Sequence, residues 1–251
     1  CIKPGSLLQF NITALDPDFG DSLYFYLNNA GAGVNGPFNV SSSPATIQPP
    51  LSAFPIRGFS PQVGVFTWQT NCSHIRKAFY QVDYYAHDNF GNNKTLAANA
   101  ITMIRIVPEP VQNLTATSGS RKITLTWNPN PCDNATGYEI YRSTGAGSVP
   151  TDSICCRTGV PNGYVKAGEV QGWATTTFVD DNNGEGLEFS GEYCYVVVTV
   201  FPEAVKSCPS QKACVSIRRD FPVLYNVSVL NTNTATGTME VIWSQPTEID
   251  T

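Results

Sequence analysis

One stretch of sequence occurs twice. Asn113-Leu114-Thr115-Ala116-Thr117, followed by Ile123-Thr124-Leu125-Thr126-Trp127-Asn128-Pro129, returns as Asn226-Val227-Ser228-Val229 and then Met239-Glu240-Val241-Ile242-Trp243-Ser244-Gln245-Pro246. The second copy spaces Trp and Pro one residue further apart. In both, apolar and polar residues alternate over strand length, the period of a half-buried β-strand. A repeated supersecondary opening means an array of small units, each near the ~100 residues that a sandwich needs for a core.

Strand signals fill the rest of the chain at the spacing of an all-β fold. Leu8, Phe10, Ile12 and Ala14 alternate with polar residues, Asp16–Asp21 is a turn, and Leu23–Leu27 is a second strand. A Gly/Pro/Ser-rich stretch over 28–61 predicts long loops with at most short strands. Strands resume at Val65–Thr70, Ala78–Ala86 and Ile101–Val107. Val107-Pro108-Glu109-Pro110 predicts a stiff joint, because two prolines remove donors and favour extension. Beyond it, Val111–Thr117, Lys122–Trp127, Gly137–Arg142, Gly163–Val170, Thr175–Val179, Glu192–Phe201 and Gln211–Ile217 complete a second unit. The expected division is 1–107, 108–219 and 220–251, the last being the opening of a further, truncated unit. The first strand of the first unit is expected to lie before Cys1, in a chain cut from something longer at both ends.

Composition narrows the function. Charged residues make up 14% of the 251, and the net charge is −5 with no Lys/Arg-rich stretch. That leaves no electrostatic footprint for nucleic acid or an acidic membrane. No apolar run approaches the ~20 residues that cross a bilayer, so membrane insertion is not expected, nor is a signal peptide expected within these residues. Eight cysteines, Cys1, Cys72, Cys132, Cys155, Cys156, Cys194, Cys208 and Cys214, show no Cys-x-x-Cys spacing. An even count without metal or redox spacing predicts a disulfide framework and an extracellular or cell-surface location. Cys194 and Cys214 fall on neighbouring final strands and are expected to pair. Cys1 with Cys72 would staple the first unit, leaving Cys132 and Cys208 for Cys155 and Cys156 in either order; sequence alone does not fix the connectivity.

The second unit resembles a fibronectin type III domain, on Asn113–Ala116, Trp127 and Gly137-Tyr138-Glu139-Ile140-Tyr141-Arg142. Leu187 and Tyr193 match the family's tyrosine corner, although Phe189 and Gly191 stand where Pro and Thr are usual. The insertion from Ser143 to Pro161, with Cys155-Cys156, departs from the plain family. The first unit resembles a cadherin-like immunoglobulin module, on Asp16-Pro17-Asp18-Phe19-Gly20-Asp21, Phe66–Arg76 and Tyr84–Gly91. This order of modules is similar to large surface proteins of the Bacteroidota, many of them associated with gliding motility and the type 9 secretion system. The resemblance implies tandem immunoglobulin-like β-sandwiches that adhere, extend or build filaments. It implies as partners other domains of the same long chain, self-association, and secretion machinery acting through a C-terminal domain outside this sequence.

Asp16, Asp18, Asp21 and Asp88 are candidate calcium ligands, since calcium takes six to eight hard oxygens and loops at one sandwich end can supply them. Cadherins place such loops between domains, but their linker motif is missing here, and Asp-Pro-Asp and Asp-Asn-Phe-Gly are also ordinary turn formers. No other cofactor is expected. Asn-x-Ser/Thr sequons occur at Asn11, Asn39, Asn71, Asn93, Asn113, Asn134 and Asn226. Ser22 and Ser153, each in an Asp-Ser-apolar triplet, resemble Bacteroidota O-glycosylation sites. Trp68, Trp127 and Trp243 read as core; Trp173, between Gly172 and Ala174, reads as core or edge packing before sugar stacking. His74 and His87 have no nucleophile elbow near them and Gly-x-Ser-x-Gly is absent, so no catalytic residues are expected. The expected function is a non-catalytic structural or adhesive module. The alternatives are an accessory region of a secreted polysaccharide-degrading enzyme and a eukaryotic cell-adhesion ectodomain carrying N-glycans. An incomplete first sandwich could accept a strand from a neighbouring subunit.

Overall fold

The computed structural model describes residues 1–18, 20–27, 36–88, 96–145, 155, 162–189, 191–217 and 222–244. The chain is all-β, in tandem immunoglobulin-like sandwiches. Seven strands build the first: β1 (Leu7–Ala14), β2 (Ser22–Leu27), β3 (Thr46–Gln48), β4 (Ile56–Phe59), β5 (Gln62–Gln69), β6 (Tyr80–Asp88) and β7 (Ala97–Ile104). They form a three-stranded sheet, β1-β5-β3, and a four-stranded sheet, β4-β2-β6-β7. Cys1–Lys3 runs beside the end of this unit, with Ile2 bridging Ile106 in parallel. Alternation sets the inner faces: Ile12, Leu23, Phe25, Ile47, Phe66, Trp68, Tyr80, Val82 and Ile104 are all buried.

The second sandwich comprises β8 (Thr115–Gly119), β9 (Lys122–Thr126), β10 (Gly137–Thr144), β11 (Val165–Gln171), β12 (Thr177–Asp180), β13 (Glu192–Val200) and β14 (Ala213–Ser216). Its sheets are β12-β9-β8 and β11-β10-β13-β14. Between them lie Ile123, Leu125, Trp127, Tyr138, Ile140, Tyr195, Val197 and Ile217. At Gly137 a Cβ would come within 2.2 Å of the Val170 carbonyl, so only glycine lets β10 approach β11 so closely. β8 starts later than Val111 because Asn113 takes φ 57°, a left-handed turn that interrupts extension. Tyr193 closes the expected corner: its hydroxyl accepts from the Glu188 amide at 2.9 Å and donates to the Glu188 carbonyl at 3.2 Å. Unlike most sandwich strands, β13 is covered on both faces. Tyr141 and Tyr164 pack with Cys194, Val196 and Val198 on the side away from the main core.

β15 (Leu224–Asn231) and β16 (Thr238–Trp243) form a hairpin. It repeats β8–β9, yet where Ile123, Leu125 and Trp127 are buried, Met239, Val241 and Trp243 are exposed. Two strands alone enclose no core. No helix among the described residues is long and apolar enough to cross a membrane.

Candidate metal centre and interdomain joint

The first functional feature is a group of carboxylates at one end of the first sandwich. Asp16 follows β1, Asp21 precedes β2, and Asp88 ends β6. β2 and β6 are hydrogen-bonded neighbours with Leu23 opposite Asp88, and the turn from β1 crosses between the sheets at that same end. One carboxylate oxygen from each of Asp16, Asp21 and Asp88 lies within 4.8 Å of the other two. The Asp16 amide donates to Ser60 Oγ at 2.9 Å, and Asp16 Oδ1 accepts from the Asp18 amide at 2.9 Å. Asp88 is 3% exposed; its Oδ1 accepts from the Leu96 amide at 2.8 Å, while its Oδ2 is buried without a partner. Asp21 Oδ2 is likewise buried and unpartnered. Desolvation, then the charges of Asp16, Asp18 and Asp88, push the Asp21 carboxyl above the usual carboxylate range. None of the ion pairs among the described residues involves any of the three.

Of the four residues predicted as ligands, the structure therefore gathers three and leaves Asp18 out. Asp18 is exposed, and its amide folds back onto Asp16 in a local turn. Beside the cluster, His87 stacks on Tyr24 with ring centroids 4.8 Å apart, and its Nδ1 lies 2.9 Å from the Asp88 carbonyl oxygen.

The second feature is the joint between the sandwiches, where the predicted cysteine pairing needs correction. Cys72 bonds Cys132, not Cys1, and Cys1 bonds Cys155, each with Cα atoms 5.4 Å apart. Both bridges thus tie one sandwich to the other, whereas the expected Cys1–Cys72 link would have stayed within the first. Cys72 is carried by a single helical turn after β5, at the end of the unit facing Cys132, so that sulfur meets the neighbour instead of its own N-terminus. Cys194 and Cys214 do pair, directly opposite each other on β13 and β14. Cys208 is disulfide-bonded too; Cys156 lies outside the described residues.

Polar contacts reinforce the bridge. Asn134 Nδ2 donates to the Cys72 carbonyl at 3.0 Å, and the Lys77 amide donates to Glu203 Oε2 at 3.0 Å. Glu203 holds a left-handed φ of 58°, an uncommon conformation for a non-glycine residue. Asn130 Nδ2 reaches the Glu109 carbonyl at 2.7 Å and Thr199 Oγ1 at 3.1 Å. Apolar packing runs across as well: Cys132, Ala135, Phe201 and Val205 of the second sandwich belong to the core cluster of the first. Trp173 packs against that cluster and donates from Nε1 to the Asn130 carbonyl at 2.7 Å, which makes it a wedge at the joint. The linker's Val107 and Pro108 are buried, so the connection is packed as well as stiff. Sequence reading missed Asn130, Asn134 and Glu203; the one local signal was Asn130-Pro131-Cys132, a turn carrying a cysteine.

Ser22 sits partly buried at the start of β2, and Ser153 and Asn93 lie outside the described residues. Asn11, Asn39, Asn113 and Asn226 are exposed, while Asn71 caps the turn that carries Cys72 and Asn134 takes part in the joint.

No family model matches the chain. No curated protein matches it either. Among solved structures, an Fn3-like protein from Clostridium thermocellum aligns at TM-score 0.32 and 23% identity, over 45% of this chain and 96% of that one. Pectate lyase Pel3 from Pectobacterium carotovorum aligns at TM-score 0.31 and 20% identity, over 43% of this chain and 27% of its own. The spore cortex lytic enzyme SleM from Clostridium perfringens aligns at TM-score 0.32 and 14% identity, over 51% of this chain and 36% of its own. The chain thus spans about a third or less of the two enzymes' length.

Proposed function

We propose that this chain is a non-catalytic spacer and adhesive segment of a large extracellular or cell-surface protein, which holds flanking parts at a set distance and angle. The observation that carries this reading is the Cys72–Cys132 bridge, which fastens two sandwiches across a shared apolar joint. An independent pair of tethered domains keeps relative motion by default, because interdomain contacts are usually small and polar. Here covalent, polar and apolar links coincide at one place, the construction expected of a stiff rod. Disulfides persist in oxidising surroundings, which favours an external location. Residues 1–107 and 108–219 then act as one unit, with 220–251 opening the next. The module order suggests a setting in a bacterial surface or filament protein of the Bacteroidota, secreted by the type 9 route and associated with gliding motility.

Antibodies raised against this segment, applied to intact cells of the source organism, test the reading. Labelling of the surface or of isolated filaments, with the cysteines unreactive to alkylation before reduction, is the expected result. Cytosolic protein with free thiols would overturn it, as would release of reducing sugar when the purified segment meets polysaccharide.

A further inference from the structure

We propose that the open edge of β7 is a self-association surface, where a second copy of this chain adds its own β7 antiparallel and extends the sheet. Four strands end the two described sheets of the first sandwich: β1, β3, β4 and β7. β3 and β4 are three and four residues long and lie among Pro49, Pro55 and Pro61, which blunts them. β1 turns Gln9, Asn11 and Thr13 outward after Leu7, a mostly polar row. β7 differs from all three. Its eight residues, Ala97–Ile104, hold no charge, no proline and no bulge, the devices that keep sheet edges apart.

Backbone direction fixes what this edge offers. The Arg105 carbonyl and the Val107 amide turn to Ile2, whereas the Leu96 carbonyl turns to Asp88 of β6. Alternation through the unbroken register points the amides and carbonyls of Ala97, Asn99, Ile101 and Met103 away from β6. No hydrogen bond of the described residues meets them there. Ala98 and Ala100 face inward like buried Ile104, yet both are exposed, so no described residue covers the edge from within either.

The strand is self-complementary. A two-fold axis at Ala100 places all four residues in hydrogen-bonded pairs, Ala97 with Met103 and Asn99 with Ile101, each occurring twice. On the outer face each larger side chain then meets a smaller one, and Ile101 and Met103, 54% and 61% exposed, gain cover. Centring the axis on Asn99 or Ile101 would use only three of the four and set that residue against itself. An uncharged strand meets its copy without repulsion. The interface is small, so a single contact is reversible, and rods carrying several copies would add such contacts together. The inference deepens the adhesive half of the reading above, naming a second copy as the partner, and rests on it only for the setting.

Sedimentation of the oxidised protein over a range of concentrations tests it. The expected result is a monomer–dimer equilibrium with dimer populated by about 1 mM. Ile101→Lys puts a charge at an exposed position, and Asn99→Pro removes an edge-facing amide without touching the β6 ladder. Each should weaken dimerisation at least tenfold with little change in melting temperature; Ile101→Lys carries the test should Asn99→Pro fail to fold. Ala100→Cys should yield a covalent dimer under air, because facing residues at a non-hydrogen-bonded position stand about 4.5 Å apart. Ala98→Cys, which would face Thr102 of the second copy, should cross-link at least tenfold more slowly. Protein that stays monomeric at that concentration with Cys72–Cys132 intact would overturn the proposal and leave the spacer reading standing. So would association undiminished in folded Ile101→Lys, which would assign it to the exposed face of β15–β16, or equal cross-linking in the two cysteine variants.

Discussion

The side-chain amide of Asn134 donates to the Cys72 carbonyl at 3.0 Å, while Cys72 sulfur bonds Cys132 two residues away. One short segment of the second sandwich therefore grips one turn of the first by backbone and sulfur together. The bridge closes a loop of 60 residues, for which the chain-entropy model gives about 4 kcal/mol. Replacing both Cys72 and Cys132 by Ser should lower stability by roughly 2–4 kcal/mol, measured by denaturant unfolding. Small-angle scattering should show wider interdomain motion in the variant. Asn134→Ala alone should cost about 1 kcal/mol, the net value of a typical hydrogen bond, and leave the scattering close to that of the wild type.

Inside the second sandwich, Arg142 Nη1 contacts both oxygens of Asp180, at 3.0 and 2.9 Å, and Asp180 is 3% exposed. Tyr195 donates its hydroxyl to Asp180 Oδ2 at 2.7 Å. Burial and that carboxylate push the Tyr195 phenol well above its ordinary value, so it stays protonated as the donor. Removing one member of a buried pair strands the other, which costs more than the pair contributes. Arg142→Ala should destabilise by about 3–5 kcal/mol, and Tyr195→Phe by about 1.5–3 kcal/mol, the range for a hydrogen bond to a charged group. A double-mutant cycle by urea unfolding would read the coupling; additive losses would show that the two act separately.

Alternation and turn chemistry made the strands legible: Lys122–Trp127 became β9 and Glu192–Phe201 became β13, each within a residue. The corner was legible because Leu187 and Tyr193 keep its spacing, and the acidic turn because Asp-Pro-Asp and the end of β6 sit at the same pole. Cysteine pairing across the joint was not. Which sulfur meets Cys72 depends on how two separately patterned units dock, and no periodicity within either unit encodes that. Asp18 falls outside the group of three carboxylates: its amide donates to Asp16 Oδ1 within the turn, and the residue is exposed. The wedge role of Trp173 was hidden in the same way, since a Gly-Trp-Ala loop looks alike whether a neighbouring sandwich covers it or not.

At the corner, the Tyr193 hydroxyl both accepts from and donates to Glu188. Phenylalanine keeps the ring and loses both bonds, so Tyr193→Phe should destabilise by about 1–2 kcal/mol. The ring also packs against Gly191, where a Cβ would come within 3.1 Å of it. Gly191→Ala should therefore add a steric cost that Tyr193→Phe does not relieve, and the two substitutions combined should cost at least as much as either alone.

His74 links the joint to pH. It is 1% exposed; its Nδ1 accepts from the Asn71 amide at 3.0 Å and its Nε2 contacts the Ser42 carbonyl at 2.6 Å, where it donates. Trp68 and Tyr80 pack around the ring, with Arg76 over Tyr80. Burial, with a smaller push from Arg76, holds its pKa below the ordinary 6.5 in spite of the Ser42 bond. A proton on Nδ1 would abolish the Asn71 bond that caps the turn carrying Cys72. Unfolded chain takes up the proton first, so stability is full above about pH 6.5 and falls as pH drops from there through the lower folded-state value. Urea midpoints should be flat between pH 8 and 7 and decline towards pH 5.5, where most carboxylates are still ionised. His74→Gln, although less stable at pH 8, should show a flatter profile across the same interval; an equal decline in the variant would place the pH sensitivity elsewhere.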